Sequence, residues 1–384
     1  MDYDVIVIGI GGMGSAAVYH LARKGVRVLG LEQYDIPHDR GSSHGVNRII
    51  RLGYAEHPSY VPLLRRAYEL WRELEAACGE QLLFITGGFD IGPRDGTLVS
   101  GVLRSCALHG LQYELMEPAA VNDRYPGFRL IDPLVGVFQP DSGFVLAERS
   151  VIAHVEAAHA RGADVRARET VLDWEASDAG VRVRTNRGRY RAKRLVITAG
   201  PWASSVVPAL RTLTVAERQV LLFAQPLRPE LYRLGRFPIF NMDAAEGHFY
   251  GLPIHGVPGV KIGKYHHLHQ QGAPDALDRD VHDEDERVLR DAIARYFPDA
   301  NGPTMALKTC LFTNSPDEHF IIDRHPHHAS VFIAAGFSGH GFKFCSVVGE
   351  ILAELAVDGA TRHDLSLFRL SRFGSQTSIR PSNP

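Results

Sequence analysis

Apolar residues open the chain in two short runs that are separated by a segment of small residues. Residues 4–8 include four successive β-branched side chains, which is typical of a buried strand in a parallel sheet. Residues 15–25 predict a helix that ends at a glycine, and residues 26–32 predict a second strand that ends at an acidic residue. This order predicts a βαβ unit.

The rest of the pattern predicts helices separated by strand-rich stretches. Apolar positions recur near a 3.6-residue period over residues 58–77, which predicts an amphipathic helix. Further helices are predicted over residues 97–109, 147–161, 283–297 and 345–357. Strands are predicted over residues 82–85, 88–91, 164–174, 180–185, 194–197, 248–253, 259–264 and 331–335.

These elements favour an α/β fold combined with an α+β fold. We predict a Rossmann-like dinucleotide-binding domain interleaved with a mixed-sheet substrate domain, because 384 residues are too many for one ordinary core. The dinucleotide-binding domain is predicted to comprise residues 1–80, 147–212 and 313–384, and the substrate domain residues 81–146 and 213–312. The polar C-terminal residues 373–384 are predicted to fray.

Composition narrows the class of protein. The apolar fraction is 45%, the charged fraction is 22% and the formal net charge is −2, as in an ordinary globular protein. This charge gives no reason to expect binding to nucleic acid or to an anionic membrane. The predicted first strand leaves no room for a cleavable signal peptide, and no apolar run is long enough to span a bilayer. We therefore expect a cytoplasmic protein.

Neither the cysteines nor the histidines are spaced as metal ligands. The cysteines are Cys78, Cys106, Cys310 and Cys345. Their spacing predicts reduced thiols rather than a disulfide framework. The 19 histidines include no HExxH motif and no paired ligand spacing, so we predict no metal site.

A glycine motif lies at the end of the first predicted strand. It reads Gly9-x-Gly11-x-x-Gly14, with Glu32 at the end of the second predicted strand. Gly9 allows a tight turn, Gly11 lets a pyrophosphate approach the backbone, and Gly14 lets helix and strand pack closely. Glu32 can accept a hydrogen bond from a ribose hydroxyl. The sequence therefore predicts a dinucleotide site, although this motif alone does not distinguish FAD from NAD.

Residues 37–51 form a segment rich in glycine, serine, histidine and arginine, which makes its backbone available to a ligand. Arg48 and Arg51 are three positions apart and would share a face if this segment formed a helical turn.

Two other positions carry cations in unusual contexts. A second glycine-rich turn follows the strand at 331–335 and includes His340 and Lys343, which predicts another place where free N–H groups meet a ligand. Lys261 is flanked by apolar residues in a predicted strand, and it could either face water or belong to a site.

The motifs together resemble those of the family of monomeric sarcosine oxidase and N-methyltryptophan oxidase. Besides the glycine motif, the matching segments are residues 41–51, 308–311, 315–323 and 336–344. The resemblance extends from residue 1 to about residue 373, in order and at similar spacing. It implies a two-domain flavoprotein related to D-amino acid oxidase, in which FAD lies extended in the dinucleotide-binding domain.

The resemblance also implies the chemistry. Enzymes of this family oxidise secondary amino acids to imines and pass the electrons to O₂, which forms H₂O₂. Their FAD is bonded through its 8α-methyl group to a cysteine, which corresponds to Cys310. The predicted cofactor contacts are Gly9, Gly11, Gly12, Met13, Gly14, Glu32, Gly41, Ser42, Ser43, His44, Arg48, Val171, Ala199, Gly200, Trp202, Cys310, Phe337, Gly339, His340, Gly341, Phe342 and Lys343. A monomer is expected, as in the family.

The resemblance assigns the residues around the reacting atoms. Arg51 is expected to bind the substrate carboxylate, because a guanidinium can form two parallel hydrogen bonds, with Lys343 as the second cation. Lys261 corresponds to a lysine near flavin N5 that assists O₂ reduction. The other predicted catalytic residues are Arg48 and His340 near the flavin, and Tyr250 and His266 in the substrate cavity.

Two departures from the family pattern affect the choice of substrate. Phe312 replaces a cavity tyrosine, so sarcosine itself is in doubt. Residues 264–269 form a basic cluster that is either a solvated loop, the interpretation we favour, or a cationic mouth that selects a second acidic group, as in iminodiacetate. The competing functions are an amino acid dehydrogenase with a non-oxygen acceptor, an NAD-dependent oxidoreductase and a non-catalytic flavin-binding subunit.

Overall fold

The computed structural model describes residues 2–374 and contains helices, strands and short 3₁₀ turns. The helices are α1 (Gly12–Arg23), α2 (Tyr60–Cys78), α3 (Thr97–His109), α4 (Pro118–Arg124), α5 (Ala147–His159), α6 (Ala203–Val206), α7 (Asp283–Tyr296) and α8 (Cys345–Asp358). The strands in the first half of the chain are β1 (Tyr3–Ile8), β2 (Val28–Leu31), β3 (Asn47–Ile50), β4 (Leu83–Ile85), β5 (Gly88–Pro93), β6 (Glu114–Met116), β7 (Leu134–Gln139), β8 (Gly143–Leu146), β9 (Asp164–Arg166) and β10 (Val171–Ser177). Those in the second half are β11 (Gly180–Thr185), β12 (Arg189–Ile197), β13 (Val215–Ala224), β14 (Ile239–Ala244), β15 (Gly247–Leu252), β16 (Val260–Lys264), β17 (Gln271–Gly272), β18 (Thr304–Asn314), β19 (Ile321–His325) and β20 (His328–Ala335).

An eight-stranded sheet contains the predicted βαβ unit. Its parallel part has the order β20-β12-β1-β2-β9, while β19 and the β10–β11 hairpin add antiparallel pairs. Helices α1, α5 and α8 pack together beside it, through residues such as Val18, Ala158 and Val348, which are fully buried. Buried β-branched residues in β1 and β20 explain this arrangement, because a parallel sheet is covered on both faces.

A nine-stranded mixed sheet forms the second layer of the molecule. Its order is β17-β13-β16-β15-β14-β5-β7-β6, with β18 paired along the other edge of β13. Only β14 and β5 pair in parallel. The predicted combination of a Rossmann-like sheet with a mixed sheet is confirmed, whereas the predicted domain boundaries stay a prediction. Strands β3, β8 and β4 form a third, small sheet.

The predicted long helices are confirmed, but one strand prediction and one loop prediction need correction. The strand predicted over residues 164–174 is divided into β9 and β10, because Arg168 has a φ of +54° and interrupts the extended backbone. Residues 47–50 form β3 rather than part of a loop or a helical turn. The predicted fraying of the C-terminus concerns residues that, beyond 374, lie outside the described part. Within residues 2–374, no helix is long and apolar enough to cross a membrane.

Candidate active site

Glycines shape the turn between β1 and α1. Gly9 has a φ of +88°, and a Cβ atom on it would lie 2.6 Å from the carbonyl oxygen of Thr198. A Cβ atom on Gly14 would lie 1.8 Å from the carbonyl oxygen of Gly9, so α1 can pack this closely on β1 only with glycine there. The N–H of Gly12, the first residue of α1, donates to Ser43 Oγ at 2.9 Å. The amino end of α1 therefore faces the loop that follows β2, in the arrangement that binds phosphate groups.

Glu32 provides a buried carboxylate next to this turn. Its Oε2 accepts a hydrogen bond from the N–H of Ile10 at 2.8 Å, and its Oε1 accepts one from the N–H of Tyr34 at 3.1 Å. The residue directly follows β2, at the position where βαβ dinucleotide sites carry an acid.

A cavity of about 1080 Å³ extends from this turn to Cys310 on β18. The predicted cofactor contacts that line it are Gly9, Gly11, Gly12, Met13, Glu32, Gly41, Ser42, Ser43, Arg48, Val171, Ala199, Gly200, Trp202, Cys310, Phe337, Gly339, Gly341 and Phe342. Four others, Gly14, His44, His340 and Lys343, lie behind the lining. Gly14 is packed inside α1, and the other three side chains are buried next to the cavity wall.

Cys310 lines this cavity and has 2% of its surface exposed. Arg48 Nη2 lies 3.4 Å from its Sγ atom. Burial raises the pKa of the Cys310 thiol, but the charges of His44 and Arg48 outweigh it and lower the pKa to about 6. Such a thiol is largely thiolate at neutral pH, which is the nucleophilic form. His44 Nε2 is buried and has no hydrogen-bond partner within residues 2–374.

Lys261 on β16 is buried and points at a backbone turn rather than at water. Its Nζ donates to the carbonyl oxygens of Gly45 at 2.8 Å and Asn47 at 2.6 Å, and to Asn47 Oδ1 at 3.0 Å. The carbonyl oxygen of Asn47 also accepts a hydrogen bond from Arg48 Nη1 at 2.9 Å. Burial and the nearby Arg48 charge hold the pKa of Lys261 well below its usual value. The two predicted catalytic cations thus share one acceptor.

The side chains of Arg48, in β3, and of Arg51, just after it, point in different directions. Arg48 lies within β3 and Arg51 follows it, and alternation along an extended backbone places their side chains on opposite sides. The prediction that Arg48 and Arg51 would share one face of a helical turn is therefore wrong. Arg51 Nε lies 3.1 Å from Asp90 Oδ1, and Arg51 Nη2 lies 3.2 Å from Glu56 Oε2. The structure places Arg51 in a buried cluster of opposite charges.

Lys343 is the second cation of this cluster. Both cations lie near the ring of Tyr54, with Arg51 Cζ at 4.8 Å and Lys343 Nζ at 5.2 Å from its centroid. Lys343 Nζ donates to the carbonyl oxygen of His340 at 2.7 Å. Burial and the charge of Arg51 lower the pKa of Lys343 to about 7. His340 Nδ1 lies 2.6 Å from the Tyr54 hydroxyl, and burial lowers the pKa of His340 to about 4, so this imidazole is neutral.

Three aromatic side chains pack together where Phe312 lines the cavity. The ring of Tyr265 lies 5.3 Å from that of Tyr250 and 5.6 Å from that of Phe312. Tyr265 was missed from the sequence because it lies within the basic cluster. A period of two that continues beyond β16 could have found it, since Lys261, Gly263 and Tyr265 are each two positions apart and the N–H of Tyr265 still donates to the carbonyl oxygen of His248.

His266, a predicted cavity residue, lies between two carboxylates. Its Nδ1 is 2.8 Å from Glu217 Oε2 and its Nε2 is 3.2 Å from Glu318 Oε1. Hydrogen bonds to Glu217 and Glu318 raise the pKa of His266 to about 10, so the ring is an imidazolium. Glu217, His266 and His269 have ligand atoms within 4.8 Å of one another, the spacing of a candidate metal site. The proton on His266 competes with an ion there, and we assign no metal.

The rest of the basic cluster differs from a solvated loop. His267 is 2% exposed, and its Nε2 lies 3.0 Å from Asp285 Oδ1. Lys264 Nζ lies 5.9 Å from the centroid of the Phe249 ring. The solvated-loop interpretation is therefore wrong for His267, whose burial follows from its partner on α7. Because carboxylates lie beside both histidines, this geometry does not favour the cationic mouth.

Comparison with known proteins identifies the family. The profile of the family described as FAD dependent oxidoreductase matches residues 4–355. This chain belongs to that family. Monomeric sarcosine oxidase of Streptomyces avermitilis is 42% identical over 377 residues, which cover 95% of this chain and 96% of that protein. N-methyl-L-tryptophan oxidase of Escherichia coli K12 is 35% identical over 386 residues, 97% of this chain and all of that protein. The resemblance seen in the motifs is confirmed.

Solved structures agree with this assignment. The open form of NikD, an unusual amino acid oxidase essential for nikkomycin biosynthesis, has 26% identity and a TM-score of 0.83, covering 96% of this chain and 97% of that one. L-proline dehydrogenase from P. horikoshii shares the fold at 21% identity and a TM-score of 0.79, with 96% and 97% coverage. The cavity of this chain fits FAD, because its lining combines the glycine turn at the amino end of α1 with the Cys310 thiol, whose pKa is depressed.

Proposed function

We propose that this protein oxidises a secondary amino acid to its imine and transfers the two electrons to O₂, which forms H₂O₂. Both sequence relatives are named as oxidases, one of sarcosine and the other of N-methyl-L-tryptophan. Bound FAD supplies the acceptor for the hydride that leaves the carbon next to nitrogen. The chain must then orient the substrate, exclude water and place charges near the reacting atoms.

The observation that carries this proposal is the pair of buried cations, Arg51 and Lys343, next to the Tyr54 ring. Arg51 uses Nε toward Asp90 and Nη2 toward Glu56, so the other N–H groups of its guanidinium and those of the Lys343 ammonium are the donors offered to a substrate anion. A substrate carboxylate would bind between Arg51 and Lys343, through a bidentate contact to the guanidinium. The substrate amine would then lie toward Tyr265 and Phe312, the side that adjoins the cavity.

The cofactor would be held along the whole cavity. The amino end of α1 would bind the pyrophosphate, and Glu32 would bind a ribose hydroxyl. We propose that the thiolate of Cys310 is bonded to the 8α-methyl carbon of the flavin, which its depressed pKa and its place in the cavity lining support. O₂ would be the oxidant for this bond, since the thiol and the methyl group each lose one hydrogen and H₂O₂ is formed. Arg48 and Lys261 would stabilise negative charge next to the ring, and Lys261 would do so during electron transfer to O₂.

The substrate pocket offers aromatic surface and no phenol at position 312. Tyr250 and Tyr265 retain their hydroxyl groups, while Phe312 contributes only an apolar ring. We therefore propose an N-alkyl or cyclic amino acid with an uncharged side chain as the preferred substrate. A dicarboxylic amine is not favoured, because His266 is already paired with Glu217 and Glu318 and is not free to bind a second carboxylate.

The experiment that tests the function combines two measurements on the purified protein. Denaturation in acid followed by filtration should leave yellow flavin on the protein, and Cys310→Ser should release it. A panel of N-methyl, cyclic and dicarboxylic amino acids should then yield H₂O₂ with the neutral members. Reduction of an artificial dye without O₂ consumption would instead support a dehydrogenase, and a colourless protein would contradict the proposal.

Assembly and domain division are proposed from the same relatives. Since one relative is named monomeric sarcosine oxidase, we propose a monomer, which light scattering can test. We also propose that the eight-stranded sheet belongs to the FAD-binding domain and the nine-stranded sheet to the substrate domain.

A further inference from the structure

The turn that holds Lys261 has an unfavourable backbone conformation. Gly45 has a φ of +89° and Val46 a φ of +73°. A β-branched residue rarely adopts positive φ, because its side chain crowds the backbone there. Val46 is nevertheless fixed in this conformation and packs against the apolar cluster around Cys310. Other contacts must therefore hold the turn in place.

Glu148 makes those contacts from the opposite side of the turn. It lies in the first turn of α5, and its Oε1 accepts the N–H of Gly45 at 2.7 Å. The N–H of Val46 donates to Glu148 Oε2 at 3.0 Å and to Oε1 at 3.2 Å. The next peptide is fixed as well, because the carbonyl oxygen of Val46 accepts the N–H of Ala147 at 2.8 Å. The Glu148 carboxylate, at the amino end of α5, thus accepts hydrogen bonds from two successive N–H groups of the turn.

The same turn presents its carbonyl groups to the two cations next to Cys310. Lys261 Nζ is bonded to the carbonyl oxygens of Gly45 and Asn47, and Arg48 Nη1 to that of Asn47. Glu148 therefore holds the donors of the turn while Lys261 and Arg48 hold its acceptors. If the turn relaxed to negative φ at Val46, these carbonyl groups would rotate and both cations would lose their position.

We propose that Glu148 is a positioning residue that keeps the Gly45–Asn47 turn in its left-handed conformation and thereby places Lys261 and Arg48 against the flavin. Glu148 does not line the cavity, so its positioning role would be exerted through the turn, while its charge also acts on Lys261. The inference rests on the proposed function, in which these two cations stabilise negative charge next to the flavin.

The test compares Glu148→Ala and Glu148→Gln with Glu156→Ala, an exposed carboxylate on the same helix. Anaerobic reduction by substrate and reoxidation by O₂ are measured separately by stopped flow, and the flavin reduction potential is measured by equilibration with a dye. Misplacement of a charge by about 1 Å can cost roughly a hundredfold in rate, so we expect Glu148→Ala to slow reoxidation at least tenfold. Its reduction potential should fall, while Glu148→Gln, which keeps one acceptor, should be intermediate and Glu156→Ala unchanged.

A second substitution separates the turn from the charge of Glu148. Glycine adopts positive φ without crowding, so Val46→Gly in the Glu148→Ala background should restore most of the lost reoxidation rate and the reduction potential, relative to Val46→Gly alone. If Glu148 acted only through its charge, the double variant would remain as slow as Glu148→Ala, which would overturn the proposal. Wild-type reoxidation and potential in Glu148→Ala would overturn it as well.

Lys261→Met distinguishes this inference from the proposed function. If Lys261→Met reoxidises at the wild-type rate, the role of Lys261 in O₂ reduction fails, and a fall in potential in Glu148→Ala that Val46→Gly restores would still support the positioning role through Arg48. If Lys261→Met is slow but Glu148→Ala is not, the positioning role alone fails. Thermal unfolding followed by circular dichroism confirms that each variant is folded at the assay temperature.

Discussion

Arg51 and Asp90 form an ion pair in which the Arg51 Nε and Asp90 Oδ1 atoms are 3.1 Å apart and neither side chain is more than 2% exposed. Asp90 is itself held on both oxygens, because Gln139 Nε2 donates to Oδ2 at 2.8 Å and Asn241 Nδ2 donates to Oδ1 at 3.1 Å. These three polar side chains come from β7, β5 and β14, which are neighbours in the nine-stranded sheet. The rigid sheet therefore sets the orientation of the guanidinium that we propose for carboxylate binding.

Replacing Asp90 with alanine should destabilise the protein and weaken substrate binding. Loss of one partner of a buried pair leaves the other charge uncompensated, which typically costs about 3 kcal/mol of folding free energy. Thermal unfolding should show a clear decrease in the midpoint, and KM should rise more than kcat falls. Asp95→Ala, at an exposed position, is the control. An unchanged KM in a folded Asp90→Ala protein would mean that Arg51 does not need this partner.

Carboxylate binding should depend on pH through Lys343. The pKa of Lys343 is lowered to about 7 by burial and by Arg51, so the ammonium is present below pH 7 and is lost above it. Because the charged form binds anions, the Kd of acetate should rise by up to about tenfold per pH unit above pH 7. The change in the flavin absorption spectrum on titration with acetate measures it. Lys343→Met should bind acetate weakly at every pH, and a persistent pH step in that variant would refute the assignment.

Formation of the flavin bond should follow ionisation of Cys310. The pKa of this thiol is about 6, so covalent incorporation of FAD into flavin-free protein should increase between pH 5 and pH 7 and then level off. Arg48→Met should move this curve to higher pH, since Arg48 is one of the charges that lower the pKa. Protein-bound flavin after acid precipitation gives the yield at each pH. Cys78→Ser, in α2, should behave as the wild type.

The His266 bridge should stabilise the fold at neutral pH and lose this effect in alkali. Its pKa is raised from 6.5 to about 10 by Glu217 and Glu318, so the folded protein binds the proton more tightly than the unfolded chain. The contribution is fully present below pH 6.5 and disappears as the pH rises through 10. His266→Gln should therefore lower the unfolding temperature at pH 6 but scarcely at pH 10.5. An equal decrease at both values would show that the imidazolium charge is unimportant.

The local parts of the structure followed from the sequence. The turn at Gly9 and the helix after it could be predicted because their residues are adjacent and each has a specific backbone requirement. The helix at 58–77 could be predicted because its apolar face recurs regularly. The interruption of the predicted strand at Arg168 could not be predicted, since arginine has no preference for positive φ.

The sequence did not reveal which side chains form hydrogen bonds and ion pairs with the site residues. Glu148 is 103 positions from Gly45, and Asp90 lies in a different sheet from the strand that precedes Arg51. The sequence around an ordinary acidic residue in a helix or strand does not indicate which residues its side chain will contact in the folded protein. Family resemblance indicated Arg51, Lys261 and Cys310, but it did not indicate the carboxylates that pair with Arg51, the Glu148 that binds the turn below Lys261, or Tyr265.

Strand β18 carries Cys310 and Phe312 as part of the nine-stranded sheet, and the chain then leads through a short loop into β19 of the other sheet. A thioether at Cys310 would attach the cofactor covalently to the nine-stranded sheet. The pyrophosphate of the same cofactor would be bound by α1, which packs on the eight-stranded sheet. The two sheets would then be cross-linked by the cofactor as well as by the polypeptide. Such a protein would retain its flavin through dilution and turnover, and its two layers would melt as one unit.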